Sequence, residues 1–227
     1  MSEQKILYIR ETIALAQKQE ASNHELQSYL ESSVASLHHL ISLPEENSSE
    51  TLMDFVTRYI NHVPDFIEAL SAYLHEAEIY DETKVLLDIA VEFFTKPPEI
   101  VSNHSGMHAL IDEAYLAHRL IEEINDRLVA SAGNPLLPMD MTFSNLIIHS
   151  LIGDEFANQL DLVVHYAIEL LFSNERLAQL TQNNKFLAEQ SKQGWKDAFD
   201  RWPCLAGDSA ISLKLSDSLD DDNPIVH

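Results

Sequence analysis

The sequence predicts an all-α protein, built as a single-domain helical bundle with short connections. The 227 residues include only 5 glycines and 8 prolines, and the prolines fall between segments whose apolar residues recur at helical spacing. Hydrophobic residues make up 45% of the chain, which is enough for one buried core. A chain of this length with no repeat or linker is most simply one compact domain.

Each predicted helix is defined by its apolar stripe and by the residues at its ends. Ser22 or Asn23 is suited to capping the second helix, Pro64 suits a first helical turn, and Gly133 is a typical left-handed terminator. We expect residues 1–203 to form the bundle and residues 204–227 to form an acidic C-terminal tail. The predicted helices cover residues 3–20, 23–41, 51–62, 64–80, 81–96, 107–131, 142–172 and 175–201.

Composition limits the classes of partner. The net charge is −23, from 37 acidic and 14 basic residues, which argues against nucleic acid and against an anionic membrane surface. No apolar run reaches the length of a membrane span, and the N-terminal segment lacks the features of a signal peptide. The single cysteine, Cys204, cannot form an internal disulfide, so the expected compartment is a reducing cytoplasm.

The segment FIEALSAYLHEAEIYDE, residues 66–82, contains two polar residues that lack an obvious counter-charge. Glu68 and His75 are seven residues apart, which places them within about 20° of each other on a helix, away from the main apolar stripe. Lysine and arginine are absent between Val63 and Glu82. Either water solvates this face or a bound cation balances it.

A second polar pair lies on the helix predicted for residues 152–172, which is apolar almost all round. Asp161 and His165 are one turn apart, and no lysine or arginine occurs from His149 to Glu175. Exposed helix acids are usually offset by a base three or four residues away, and an unpaired buried carboxylate is costly. A bound metal ion would supply the missing positive charge.

The helix predicted for residues 107–131 adds His118, which falls inside its apolar stripe, and Glu122 one turn later. Glu113 lies about 140° around the helix from His118, so the two do not easily serve one site. A histidine beside a stripe is commonly a hydrogen-bonded core residue, and an Asp–His pair is commonly a surface contact. With three such pairs on three helices, a metal site is about as well supported as these simpler interpretations.

This order of residues resembles the ligand pattern of diiron oxidases and oxygenases of the heme-oxygenase-like superfamily, the group around TenA, PqqC and CADD. The resemblance rests on five or six positions. It implies that Glu68 and His75 match the ligands of the first core helix, Glu122 the second, and Asp161 with His165 the third. The sequence departs from the pattern at Ala157, where the family has a histidine, and His118 is the candidate replacement.

The first functional hypothesis that follows is a diiron or dimanganese oxidase or oxygenase acting on a small organic substrate inside the bundle. Iron, two ions per chain, or manganese would be the cofactor. Tyr115 and Tyr166 are the candidate substrate-binding residues. The alternative is a metal-free helical binding or interaction protein of similar fold, which the departure at Ala157 favours. A metal-free enzyme of the PqqC kind ranks last because arginines are few, and a homodimer is left open.

Overall fold

The computed structural model describes residues 3–76, 78–101, 105–133, 135–136, 139–173, 205 and 209–214. The predicted all-α bundle is confirmed, because helices dominate this part of the chain. Two 3₁₀ turns, Val34–Ser36 and Glu99–Val101, and two short strands complete it. The α-helices are α1 (Glu3–Asn23), α2 (Glu25–Ser33), α3 (Ser48–Glu76), α4 (Tyr80–Thr95), α5 (Gly106–Ala132), α6 (Thr142–Ile152) and α7 (Asp154–Phe172).

Helix α5 is the central element. It packs against α1, α3, α4, α6 and α7, and its residues from Leu110 to His118 are buried without interruption. Polar side chains on such a buried stretch are usually satisfied by hydrogen bonds to neighbouring elements. The polar residues of α5 therefore determine which contacts its neighbours make.

Several helix boundaries differ from the prediction for identifiable reasons. Helix α3 runs through the buried Pro64 as one helix of 29 residues, because the apolar residues on both sides of the proline pack into the same core. Helices α6 and α7 are separate, because Gly153 adopts φ +91°, a conformation that side-chain-bearing residues rarely take. Gly133 ends α5 in the left-handed region as predicted, and its N–H donates to the Val129 carbonyl.

The start of the predicted acidic tail contacts the bundle. Strand β1 (Ile41–Ser42) pairs antiparallel with strand β2 (Ser212–Leu213), and the backbone N–H of Lys214 donates to the Leu40 carbonyl at 2.7 Å. Ile211 is buried beside this pair. The helix predicted for residues 175–201 lies outside the described residues. Within the described part, no helix is long and apolar enough to cross a membrane.

Candidate functional site

A polar cluster occupies the interface of α5, α6 and α7, with Arg119 at its centre. The Arg119 guanidinium donates from Nη1 to Glu122 Oε2 at 2.5 Å and from Nε to Asp161 Oδ1 at 3.0 Å. Burial lowers the pKa of Arg119, but the two carboxylates outweigh that effect and raise it, so the side chain stays charged. One arginine thus joins the acid of its own helix to the acid of α7.

Two tyrosines and an asparagine complete the cluster. Tyr115 donates its hydroxyl to Asp161 Oδ1 at 3.0 Å. Asn145 on α6 donates its amide to Glu122 Oε2 at 2.5 Å and accepts the hydroxyl of Tyr59 from α3 at 2.6 Å. Burial raises the pKa of both tyrosines, so both remain hydrogen-bond donors. The network therefore connects α3, α5, α6 and α7.

A histidine pair lies next to Tyr59. His118 is completely buried; its Nδ1 is 2.9 Å from the Ala114 carbonyl and its Nε2 is 3.0 Å from His62 Nδ1. Because a carbonyl can only accept, His118 Nδ1 must donate, and the neutral ring then offers Nε2 as an acceptor. His62 Nδ1 is therefore the donor. Burial lowers the pKa of His62 to about 4 and that of His118 well below its usual value.

His149 reaches the edge of the cluster from α6. Its Nε2 is 3.9 Å from Asp161 Oδ2, and its Nδ1 is 3.5 Å from Asp154 Oδ1. Asp154 is largely exposed, whereas Asp161 is mostly shielded by Tyr115, Arg119 and His149. His149 therefore lies between Asp161 of the cluster and the exposed Asp154.

The structure brings together four of the eight predicted site residues and separates the other four. Tyr115, His118, Glu122 and Asp161 belong to the cluster or to the histidine pair that adjoins it. Glu68 instead lies on the outer face of α3, 56% exposed, where it accepts from Arg10 of α1 at 2.6 Å. His75 is exposed and stacks on Tyr80, with ring centroids 3.7 Å apart.

The remaining two residues lie on the solvent side of α7. His165 is exposed, and its ring meets the ring of Tyr166 edge to face. Tyr166 is 65% exposed and shares its face of α7 with the exposed Leu162 and Leu170, so it does not line the polar cluster. Ala157, the position of the family histidine, is fully buried.

The acids on α3 and α7 obtain their counter-charges from arginines on other helices. Glu68 pairs with Arg10, Asp161 pairs with Arg119, and Glu169 accepts from Arg127 Nη2 at 2.6 Å. Each of these pairs joins two different helices. The available signal was Arg119 itself, which stands three residues before Glu122 and within reach of it on one helix.

A diiron or dimanganese centre does not fit this arrangement of its predicted ligands. Glu122 and Asp161 already bind one guanidinium, and Glu68, His75 and His165 lie elsewhere with other contacts. Within the described residues, no group of three or more histidine, cysteine, aspartate and glutamate side chains is placed to hold one metal ion. Compared with known protein families, with curated proteins and with solved structures, the chain has no match.

Proposed function

We propose that this chain is a metal-free helical binding protein for a small molecule, rather than an oxygen-activating metalloenzyme. The observation that favours the metal-free interpretation is the position of Arg119 between Glu122 and Asp161. These are two of the acids that a diiron site would require. Their hydrogen bonds are directed at a cation that belongs to the protein itself.

The charge balance of the cluster explains why a metal ion is disfavoured there. Two unit charges about 4 Å apart interact by about 4 kcal/mol at the effective dielectric constant of a partly buried site, so a divalent ion beside the guanidinium would be strongly repelled. Arg119 would have to leave, and its side chain is only 23% exposed. A buried guanidinium that loses both carboxylates would itself be left unpaired.

Metal content tests the proposal directly. The protein is expressed with added iron and, separately, with added manganese, and metal per chain is measured by ICP-MS. We expect far less than one ion per chain. A content of about two ions per chain that is lost in the Asp161→Ala/His165→Ala double variant would overturn the proposal.

The diiron or dimanganese oxidase is the second candidate function. The observation that favours it is that Glu122 and Asp161, from different helices, do approach one point, with Tyr115 bonded to Asp161. This function requires Arg119 to be displaced when metal binds. Arg119→Leu should then raise the metal content, whereas the matched Arg10→Leu variant on the outer face should not. Equal metal content in the two variants and the wild type would count against this candidate.

A further inference from the structure

A cavity of about 290 Å³ lies between α1, the C-terminal end of α4 and the first half of α5, away from the Arg119 cluster. Its walls are apolar and polar in similar measure; Leu15, Phe94 and Leu110 contribute apolar surface, and Leu15 is 59% exposed, so the cavity is open to solvent. A second cavity of about 610 Å³ adjoins it, and the two share Leu15, Gln19 and Gly106. Together they provide a space that is large enough for a small organic molecule.

Glu113 lines the smaller cavity and is the unusual residue in it. The residue is only 8% exposed, and no hydrogen bond or ion pair joins its carboxyl to any described residue. Burial, with a smaller contribution from the neighbouring Asp112, raises its pKa to about 8. A carboxyl group buried without a cation is costly when ionised, so the free protein holds it protonated near neutral pH.

The other polar side chains of the cavity are the hydroxyls of Tyr8, Thr12 and Thr95 and the amide of Gln19, and the two threonines are left as acceptors. The Thr12 hydroxyl donates a hydrogen bond to the Tyr8 carbonyl at 2.9 Å, and the Thr95 hydroxyl donates one to the Val91 carbonyl at 3.0 Å. Each hydroxyl oxygen therefore retains only lone pairs for a ligand. Gln19 contributes an amide that can either donate or accept a hydrogen bond. A ligand that donates several hydrogen bonds suits this set best.

We propose that this cavity binds an organic ammonium ion with an apolar substituent, with the ammonium group on Glu113, Thr12 and Thr95 and the substituent against Leu15 and Phe94. The three N–H donors of a primary ammonium match three acceptors, and its charge supplies the cation that Glu113 lacks. Aromatic side chains such as Phe94 and Tyr8 also favour a cation. The net charge of −23 attracts cations generally.

Binding includes one proton transfer and no covalent step. Glu113 releases its proton to solvent, and the resulting carboxylate pairs with the ammonium ion, which remains protonated. The other titratable groups near the cavity are Asp112 on α5, Tyr8 on α1, and Lys18 and Glu25, which line the adjoining cavity. The residues that α4 and its following turn contribute, Phe94, Thr95 and Pro97, do not titrate. Glu113 is the group at this cavity whose pKa is raised toward neutral pH.

This inference names a ligand class for the binding role proposed above, and its test is separate from the metal test. Isothermal titration calorimetry with n-hexylamine at pH 7, in buffers of different ionisation enthalpy, measures both affinity and proton release. We expect release of about 0.9 proton per ligand, since a group with a pKa near 8 is mostly protonated at pH 7. The dissociation constant should fall about tenfold per pH unit from pH 6 to 8 and then level off.

Matched ligands and variants separate this site from non-specific binding. The uncharged n-hexanol should bind at least tenfold more weakly than n-hexylamine. Glu113→Gln should lose proton release and at least tenfold in affinity, yet should fold, because a neutral amide resembles the protonated acid already present. Glu92→Gln, on the exposed side of α4, should match the wild type. Thr95→Val provides a second variant and should weaken amine binding.

Three outcomes would overturn the inference: no binding of n-hexylamine at millimolar concentration, equal binding of the alcohol, or an affinity in Glu113→Gln within twofold of the wild type.

Metal content is measured on the same preparations. Metal-loaded protein that binds the amine as expected would reject the proposed metal-free function alone, whereas metal-free protein that fails to bind the amine would reject the ammonium site alone.

Discussion

The Nε atom of Arg119 on α5 donates to Oδ1 of Asp161 on α7 at 3.0 Å, 42 residues away in sequence. The same guanidinium holds Glu122 at 2.5 Å, so one charged group connects the two acids. Because the three side chains are between 12% and 29% exposed, solvent compensates little for the loss of any one of them. This relationship makes Arg119 the residue on which the polar cluster depends.

Removing Arg119 should destabilise the fold strongly. Arg119→Met leaves two mostly buried carboxylates without their cation, which typically costs about 3 kcal/mol or more of unfolding free energy. Arg10→Met is the matched control, since Arg10 also binds two acids, Asp65 and Glu68, but at the surface. Exposed pairs contribute about 0–1 kcal/mol. Urea denaturation of both variants measures the difference, and equal losses would contradict the central role of Arg119.

Tyr59→Phe tests the extension of the cluster to α3. The change removes the hydroxyl that donates to Asn145 Oδ1 and leaves that buried oxygen without its partner. We expect a loss of about 1–3 kcal/mol of unfolding free energy. Tyr166→Phe removes a hydroxyl from an exposed tyrosine and should change stability by less than about 0.5 kcal/mol. Thermal and urea unfolding of the pair check this, and similar effects of the two changes would oppose it.

Substitution by alanine should affect stability differently at two serines of α6. Ser144 is fully buried, and its Oγ has no hydrogen-bond partner in the described part of the chain, so Ser144→Ala should be neutral or stabilise by about 1 kcal/mol. Ser150 Oγ accepts the backbone N–H of His38 at 2.8 Å, so Ser150→Ala should destabilise by about 1 kcal/mol. Denaturation midpoints compare the two variants. A clear loss of stability in Ser144→Ala would show that its hydroxyl has a partner after all.

Much of the fold follows from the sequence because helical periodicity is a local property. The stripes of α1, α3, α5 and α7 and the end of α5 at Gly133 are determined by residues within a few positions of one another. The passage of α3 through Pro64 is not local. It depends on core packing by residues on both sides of the proline, which outweighs the lost backbone hydrogen bond.

The site was less predictable because its charge pairs join distant parts of the chain. Neither Glu68 nor Asp161 has a lysine or arginine nearby in sequence, whereas Arg10 lies 58 residues from Glu68 and Arg119 lies 42 from Asp161. Helix periodicity places a residue on a face but does not say which helix that face meets. The prediction of His118 as an interior residue succeeded because its stripe position depends on α5 alone.

The His62–His118 pair should make the fold sensitive to mild acid. The folded-state pKa of His62 is about 4, lowered by burial although Asp65 opposes the shift, while an unfolded histidine titrates near 6.5. Between these values the unfolded chain binds more protons than the folded protein. Stability from this group is therefore complete above about pH 6.5 and is lost as pH falls toward 4, by up to about 1.4 kcal/mol per pH unit. His118, whose pKa burial also lowers well below its usual value, acts in the same direction.

Urea denaturation at several pH values between 7.5 and 4.5 measures this dependence. His62→Gln keeps an N–H donor for His118 but removes one titrating group, so its unfolding free energy should fall less steeply with decreasing pH than that of the wild type. His75→Gln is the matched control on the same helix, because His75 is exposed, and its pH dependence should equal that of the wild type. Identical pH dependence in all three proteins would mean that the histidine pair does not limit stability in acid, and that the carboxylates alone account for any loss.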